Sequence, residues 1–256
     1  MKQSVISIFL IILLVAFIVI VLITGMMKTD VSSVCQLFLN IEFLDAVFFS
    51  LKTSFIATVM AFFIGVPSGF FLARNKGCIS GIIDTIFDIP VVVPPLVVGV
   101  LLLTFFNYPL MKEIYPMVFT LSGAVIAQFF VAVPLTVKSA KTAFELVPEK
   151  YEMIAMTLGS KPFKSFYDTT FKIALPGIVS GVILTWLRCM GEFGATLMVG
   201  GGIPFETENI PINIYLNMAG GDIKSGIAAS VVSIIIAFLS VILVKIILNL
   251  KYRRNA

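Results

Sequence analysis

The stretch that decides the fold class runs from Ile183 to Val199 and reads ILTWLRCMGEFGATLMV. It is apolar enough to cross a bilayer, yet it holds Arg188 and Glu192 four residues apart. An ionisable side chain at membrane depth is costly unless it is paired or hydrated, so such a position has a functional or structural role. A helix places residues four apart on one face, where they can form an ion pair. The stretch therefore predicts a membrane helix that carries an internal ion pair.

The composition of the whole chain points to a membrane protein with several spans. Of the 256 residues, 59% are hydrophobic and 12% are charged, whereas an ordinary soluble domain is about 45–50% apolar. The chain has no histidine, which excludes imidazole bases and histidine-containing metal or catalytic sites. Its three scattered cysteines indicate neither a disulfide framework nor a zinc site. We therefore expect no catalytic residues, no metal site and no cofactor.

Six apolar runs have the length of about 20 residues that a membrane helix requires. The first run could be mistaken for a signal peptide, but its apolar core is too long and no cleavage pattern follows it, so we expect an anchor. Pro90, Pro94 and Pro95 interrupt the third run, which fits a path-lining helix and a static kink equally well. The fold class is therefore predicted to be all-α, with six transmembrane helices at 5–27, 53–73, 89–106, 116–137, 173–199 and 226–248.

The distribution of Lys and Arg predicts the orientation of these helices. If the N-terminus is inside, the inner segments carry thirteen Lys and Arg residues and the outer segments carry four. Basic residues concentrate in cytoplasmic loops, so both termini are expected in the cytoplasm of a multi-pass protein of the cell membrane. The net charge of +4 is explained by this topology and by contact with membrane lipid, and it requires no nucleic-acid partner.

The longest polar segment lies between the fourth and fifth runs, from Lys138 to Lys172. Its apolar residues recur at steps of three and four, which predicts amphipathic helix. Gly159 is expected to end one helix, and Ser160 is expected to cap a second, short helix with Pro162 in its first turn. Because an apolar stripe that faces water is normally covered by a partner, this loop is predicted to be a docking surface.

The segment Tyr151–Gly159, YEMIAMTLG, resembles a cytoplasmic motif of the form E-A-A-x-x-x-G. This motif belongs to the membrane subunits of type I ATP-binding-cassette (ABC) importers. Ala155 and Gly159 align with its second Ala and its Gly, while Met153 and Ile154 replace the Glu and the first Ala. Three further stretches resemble the permease of molybdate importers: Ser50–Gly77, Ile83–Leu103 and Gly191–Tyr215.

The resemblance implies a type I ABC importer transmembrane fold and a role in molybdate import, with tungstate or sulfate as alternative substrates. It implies a chain that pairs with a second copy, with ABC ATPase subunits and with an external oxyanion-binding protein. The domains would be an anchor and outer loop at 1–45, the transmembrane domain at 46–250 with a coupling loop at 138–172, and a cytoplasmic tail at 251–256. Coupling to the ATPase is assigned to Glu152, Ala155, Gly159, Pro162 and Phe163.

The sequence contains no phosphate-binding loop, and it disfavours two other classes of protein. Gly200, Gly201 and Gly202 are not followed by the G-K-[ST] of a phosphate-binding loop, so an ATPase would have to be a separate chain. A stand-alone secondary anion transporter is the alternative from a different class, although it would often show matching interrupted segments in two halves, and no clear repeat is present. A membrane enzyme is disfavoured because Ser68 in GVPSG lacks the spacing of a nucleophile elbow.

Two questions remain open from the sequence. Arg188 and Glu192, with Gly191, Gly194 and Thr196 beside them, fit a structural pin that fixes the fifth helix against its neighbours. The pin is the favoured interpretation, and the alternative is a translocation path or gate in which Arg188 attracts an anion. The small residues of GIVSG at 177–181 favour helix packing within the subunit, with a dimer seam as the alternative.

Overall fold

The computed structural model describes the backbone of residues 2–253 and the side chains of residues 7–30 and 32–242. Over that backbone the chain forms α-helices and one π-helical segment and contains no strand. It divides into two compact units, one formed by the residues up to Leu44 with those from Asn213, the other by Asp45–Ile212. In the tail predicted at 251–256, residues 254–256 lie outside the described residues. Only the backbone of residues 251–253 is described, and it belongs to the last helix, which ends at Arg253.

The first unit contains the two ends of the chain. Its helices are α1 (Lys2–Met27), α2 (Val31–Leu39) and α13 (Ile223–Arg253), and α13 packs against both α1 and α2. The part of α1 that is long and apolar enough to span a membrane, Ser7–Met27, is 0% buried, so its side chains are available to lipid. An uninterrupted apolar helix of this length is what a hydrocarbon core about 30 Å thick requires.

The second unit contains most of the remaining helices. In chain order these are α3 (Ile41–Arg74), α4 (Cys78–Val92), α5 (Pro95–Phe106), α6 (Pro109–Ile114), α7 (Leu121–Glu145), α8 (Lys150–Thr157), α9 (Pro162–Phe166), α10 (Lys172–Met190), α11 (Gly194–Gly200) and α12 (Ile210–Ala219). Residues 41–44 of α3 and 213–219 of α12 belong to the first unit. The core of the second unit lies between α3, α7 and α10, which pack through small residues, as membrane helices commonly do. A π-helical segment, Tyr167–Phe171, joins α9 to α10.

The membrane helices agree with the predicted number of spans. Within the described residues, five helices or continuous runs of helix are long and apolar enough to cross a bilayer, and the bent pair α4 and α5 gives a sixth if it counts as one span. The predicted loop 138–172 is shorter than expected, because α7 continues to Glu145 and the helical run of the next span begins at Pro162. Between them, α8 forms the first of the two helices predicted in this loop.

The third span is broken, as its prolines indicate. The helix axis bends by 108° between α4 and α5. Val93 is extended, with ψ at 132°, because the residue before a proline is disfavoured in the helical region. Pro94 and Pro95 thus decide the position of the break, whereas Pro90 lies inside α4 without ending it.

The fifth span was predicted as one helix through Val199, and this prediction is wrong. α10 ends at Met190, and α11 begins only at Gly194. The carboxylate of Glu192 accepts a hydrogen bond from the Ala195 backbone N–H at 2.9 Å. A side chain that bonds nearby backbone offers an alternative to the continuous helical ladder. Glu192 therefore stands in the break, not on the helix that carries Arg188.

The small residues at 177–181 pack α10 against α7 within the subunit. A Cβ added to Gly177 would lie 2.8 Å from the Ala143 Cβ, and one added to Gly181 would overlap the Ser139 side chain. Such distances do not occur between real side chains, so these positions need glycine for the two helices to approach. Of the two interpretations, helix packing within the subunit is the one that the structure supports.

Candidate functional site

The predicted docking loop forms a helical hairpin, defined here as α8, the turn at Gly159 and α9, residues 150–166. Gly159 has φ at +90°, which an L side chain rarely adopts. Its N–H bonds the Met156 carbonyl at 3.0 Å, and the Ser160 N–H bonds the Ala155 carbonyl at 3.1 Å. These two bonds form a Schellman motif, which satisfies the last carbonyls of α8.

The predicted cap by Ser160 is wrong. The residue before α9 is Lys161, and it makes no side-chain capping bond. Pro162 occupies the first helical position, where its fixed φ suits a helix and its missing N–H costs no hydrogen bond. The start of α9 therefore depends on proline and needs no hydroxyl.

The helical hairpin presents apolar side chains on its outer surface. Leu158 is 83% exposed and Phe163 is 80% exposed, and Met153 and Ile154 are more than half exposed. α8 and Leu158 lie outside every candidate membrane span, so lipid does not account for the exposure of Met153, Ile154 and Leu158, whereas Phe163 lies at the start of the candidate span Pro162–Met190. Contiguous exposed apolar surface of this kind marks an interaction site.

Glu152, also predicted to face the partner, is bonded inside the subunit. Its carboxylate accepts a hydrogen bond from the Thr170 hydroxyl and lies 3.6 Å from the Arg74 guanidinium, measured from Oε1 to Nη2. Its backbone carbonyl accepts a bond from the Ser165 hydroxyl at 2.8 Å. Ala155 is half-buried, while Gly159, Pro162 and Phe163 are exposed. The structure thus places four of the five predicted residues on the accessible hairpin and turns the Glu152 side chain inward.

The second candidate cluster surrounds Arg188 and Glu192, and the predicted ion pair is confirmed. Arg188 Nη1 lies 2.6 Å from Glu192 Oε2, with the Glu192 side chain 1% exposed and the Arg188 side chain 34% exposed. The other carboxylate oxygen caps the first turn of α11 through the Ala195 N–H. Glu192 is therefore fixed on both oxygens, while Arg188 keeps part of its side chain at the surface.

Asn209 also stabilises the break between α10 and α11, and the sequence analysis did not identify it. Its side-chain amide donates to the Glu192 backbone carbonyl at 2.8 Å, and its side-chain oxygen accepts from the Ile212 N–H at 3.0 Å. The second bond is an N-cap at the start of α12. Asn followed within two residues by Pro211 is a helix-start signal that could have identified it.

Gly194 permits a close crossing of α5 and α11, whereas Gly191 has no such role. A Cβ on Gly194 would lie 2.9 Å from the Leu96 backbone N, and one on Gly99 would lie 2.7 Å from the Ala195 Cα. The same atom on Gly191 would approach only the Leu187 carbonyl, at an ordinary 3.6 Å. Of the two glycines predicted to allow close approach, only Gly194 does so.

Thr196 is completely buried in α11. Its hydroxyl has no hydrogen-bond partner among the side chains and backbone that the structure describes. In this conformation of a single chain, Thr196 is part of the packing and not of an open surface.

Comparison with known proteins agrees with this arrangement. The family model described as "Binding-protein-dependent transport system inner membrane component" matches residues 65–254. The chain belongs to this family. Its members are membrane subunits of ABC transporters and are not themselves enzymes; ATP hydrolysis belongs to a separate chain. The family also implies a binding protein as a partner, and the predicted multi-pass character in the inner membrane is confirmed.

Several relatives of this permease chain have names that specify a cargo. It is 34% identical over 209 residues to the molybdenum transport system permease protein ModB of Escherichia coli K12, covering 78% of this chain and 90% of the relative. It is 34% identical over 191 residues to the molybdate/tungstate transport system permease protein WtpB of Thermococcus kodakarensis, covering 75% and 74%. The probable transport system permease protein NifC of Clostridium pasteurianum is 34% identical over 224 residues, covering 84% and 77%.

Solved structures share the fold of this permease. A bacterial alginate ABC transporter matches with a TM-score of 0.75 at 16% identity, covering 91% of this chain and 89% of the other. The methionine ABC transporter MetNI matches with a TM-score of 0.63 at 18% identity, covering 80% and 94%. The prediction of an all-α ABC importer transmembrane fold is confirmed.

Proposed function

We propose that this chain forms the membrane path of an ATP-driven molybdate importer. The observation that supports molybdate as the substrate is the 34% identity of this chain to permeases named for molybdenum or for molybdate and tungstate. The identity extends over about three quarters of the chain. Tungstate remains the alternative cargo because the two oxyanions have similar size and charge. A stand-alone anion transporter is disfavoured by the family and by the exposed helical hairpin, which such a protein would not need.

The function is tested by reconstituting the chain with its ATPase and binding protein in liposomes. Molybdate should accumulate only when ATP and the binding protein are both present, and tungstate should compete more strongly than sulfate. Uptake that continues without ATP would indicate a secondary transporter instead. ATP-driven uptake that sulfate inhibits as strongly as tungstate does would support the assignment as an importer but refute the assignment of molybdate as its substrate.

We infer that the helical hairpin is the surface that docks on the ATPase. Leu158 and Phe163 are its most exposed large apolar side chains, and the positive φ of Gly159 fixes the angle between α8 and α9. Replacing Leu158 or Phe163 by Ser should reduce copurification of the ATPase. Phe205→Ser is the matched control, because Phe205 is also an exposed aromatic but lies on the segment after α11 that we place outside. Equal loss in the control would contradict the assignment.

The orientation proposed from the charge distribution places both termini in the cytoplasm. Labelling positions must be exposed, and Thr207 to Ile210 are buried and would not react even if they were outside. Exposed Phe205 and Glu206 are suitable outer positions, and Lys161 and Lys164 are suitable inner ones. In a background without the native cysteines, an impermeant maleimide should label cysteines at the outer pair only. The opposite pattern would reverse the topology and remove the hairpin from the cytoplasm.

We propose that two copies pair around a path that Arg188 faces. Arg188 is 34% exposed at the surface of a single chain, so a second chain is required to enclose it. Its guanidinium can attract a dianion while Glu192 limits the strength of that attraction. The stoichiometry is tested by native mass spectrometry of the complex, in which two copies of this chain are expected and one copy would contradict the pairing.

A charge swap between Arg188 and Glu192 is not a clean test of the path. An arginine at position 192 could not accept the hydrogen bond from the Ala195 N–H, so the swapped protein would fail for a structural reason. The double variant Arg188→Gln with Glu192→Gln removes both charges together and keeps an acceptor for that N–H. Removing both charges together leaves neither of them without its partner. If the path needs Arg188, this variant should assemble normally and lose transport; normal transport would leave the pair as a structural pin only.

A further inference from the structure

Arg74, the last residue of α3, reaches across to the helical hairpin. Its guanidinium donates a hydrogen bond from Nη1 to the Val147 carbonyl at 3.1 Å. The same group lies 3.8 Å from the Glu149 carboxylate and 3.6 Å from the Glu152 carboxylate. It also lies over the Phe70 ring, 5.8 Å from the centroid. Arg74 is thus a largely buried cation that connects a membrane helix to the segment leading into α8.

Glu152 connects Arg74 to the start of the next membrane helix. The Thr170 hydroxyl donates to the same oxygen, Oε1, that faces Arg74, and Thr170 itself is completely buried. The buried Ser165 hydroxyl holds the Glu152 backbone carbonyl. Charge-assisted hydrogen bonds are stronger and more directional than neutral ones. We call Arg74, Glu152 and Thr170 the coupling triad.

The coupling triad includes a segment of unusual geometry. Thr170 lies in the π-helical segment Tyr167–Phe171, which leads directly into α10. Such segments are rare, and many occur at functional sites. A displacement of α8 would therefore act on α10 through the point where its helical hydrogen bonding is already irregular.

The triad also has one contact that is incompletely formed. Arg74 Nη2 is buried and has no hydrogen-bond partner among the described residues. Its distance of 3.6 Å from Glu152 Oε1 exceeds a hydrogen bond, so a shift of under about 1 Å would complete it. Arg74 and Glu152 are therefore in contact as an ion pair, and Glu152 keeps the hydrogen bond from Thr170 on the same oxygen.

We infer that Arg74 and Thr170 are positioning residues that transmit movement of the docked hairpin to α3 and α10, with Glu152 as their common partner. This inference rests on the proposed function, because it assumes that the hairpin docks on an ATPase. It assigns Glu152 to the interior of the permease rather than to contact with the ATPase. The external contact is then left to the exposed apolar residues.

The test compares two adjacent threonines of the π-helical segment. Thr170→Val removes the hydroxyl that reaches Glu152, whereas Thr169→Val removes one that bonds only the Ser165 carbonyl within the same helical run. Arg74→Gln and Arg74→Lys provide a second pair, in which the lysine keeps the charge. Each variant is reconstituted with the ATPase and binding protein, and three quantities are measured: ATPase affinity, stimulation of hydrolysis by the loaded binding protein, and molybdate taken up per ATP.

We expect Thr170→Val and Arg74→Gln to bind the ATPase with unchanged affinity but to lose at least tenfold in molybdate taken up per ATP. Thr169→Val should behave as the original chain, and Arg74→Lys should recover part of the loss. Normal uptake per ATP in both Thr170→Val and Arg74→Gln would overturn the inference. Loss of ATPase binding in either would also overturn it, because the triad would then only shape the docking surface. If the unaltered chain itself does not bind an ATPase, the proposed function fails instead.

Discussion

Replacing Gly159 by valine tests the helical hairpin through its backbone alone. Gly159 has φ at +90°, and a Cβ added there would meet nothing within 4 Å. The substitution therefore creates no clash with other residues, and its cost is the conformational strain of an L residue in the left-handed region. That strain is about 1–2 kcal/mol and greater for a β-branched side chain.

This strain converts directly into a loss of affinity if the turn must keep its angle to dock. A change of about 1–2 kcal/mol is about 5- to 30-fold in an equilibrium constant. The apparent dissociation constant rises as the docking-competent population falls. We expect Gly159→Val to weaken ATPase binding by that factor, measured by titrating the purified ATPase against the permease in detergent. Gly159→Asn should lose less, because asparagine tolerates the left-handed conformation.

Gly221 provides a matched control for this experiment. It has φ at +87° and also has nothing within 4 Å of an added Cβ, but it lies in the turn before α13 in the other unit. Gly221→Val introduces similar strain without touching the hairpin. If Gly159→Val binds the ATPase as tightly as the unaltered chain, or if Gly221→Val weakens binding equally, the docking assignment is refuted.

Three further predictions concern stability, measured by thermal unfolding of the purified chain. Gly194→Ala should destabilise by about 1–3 kcal/mol because it overpacks the crossing of α5 and α11, while Gly191→Ala should stay within about 0.5 kcal/mol; equal effects would contradict the assigned contacts. Glu192→Ala should cost about 1–3 kcal/mol because it leaves the buried Ala195 N–H without its acceptor, and Glu192→Gln should cost less because it retains that acceptor; equal losses would show that this capping bond is unimportant. Asp84→Asn should cost about 1 kcal/mol or less for each of its ion pairs, with Lys138 (2.8 Å) and Lys141 (2.9 Å), and 1 M salt should reduce the difference by screening, whereas a salt-independent loss would point to packing.

The breaks in the membrane helices show what the sequence can and cannot predict. The break at Pro94 is visible because proline changes its own backbone and that of the residue before it. The break after Met190 is not visible in the same way, since Gly191 and Phe193 are common in membrane helices. It depends on Glu192, whose carboxylate bonds the Ala195 N–H, and on Asn209, which reaches the Glu192 carbonyl from further along the chain. Local rules therefore identified one break and missed the other.

The candidate docking site likewise has one feature that the sequence predicts and one that it does not. The Gly159 turn was predictable because a glycine that ends a helix is a property of a few consecutive residues. The direction of the Glu152 side chain was not predictable, because its partners Arg74 and Thr170 belong to other helices. A motif gives the position of a residue along a helix, but tertiary packing decides which face of that helix is covered.

α10 connects the two candidate clusters through one rigid element. It begins directly after the π-helical segment that contains Thr170 and ends at Met190, directly before the break at 191–193 that contains Glu192. At about 1.5 Å per residue, the rise from Lys172 to Arg188 is about 24 Å. A tilt of α10 at its irregular start would therefore displace Arg188 more than the residues near Lys172, because Arg188 lies near the opposite end of the helix. Since Glu192 and Asn209 fix the following segment, that displacement would be taken up at the Arg188 contact and at Gly191, where the helix has already ended.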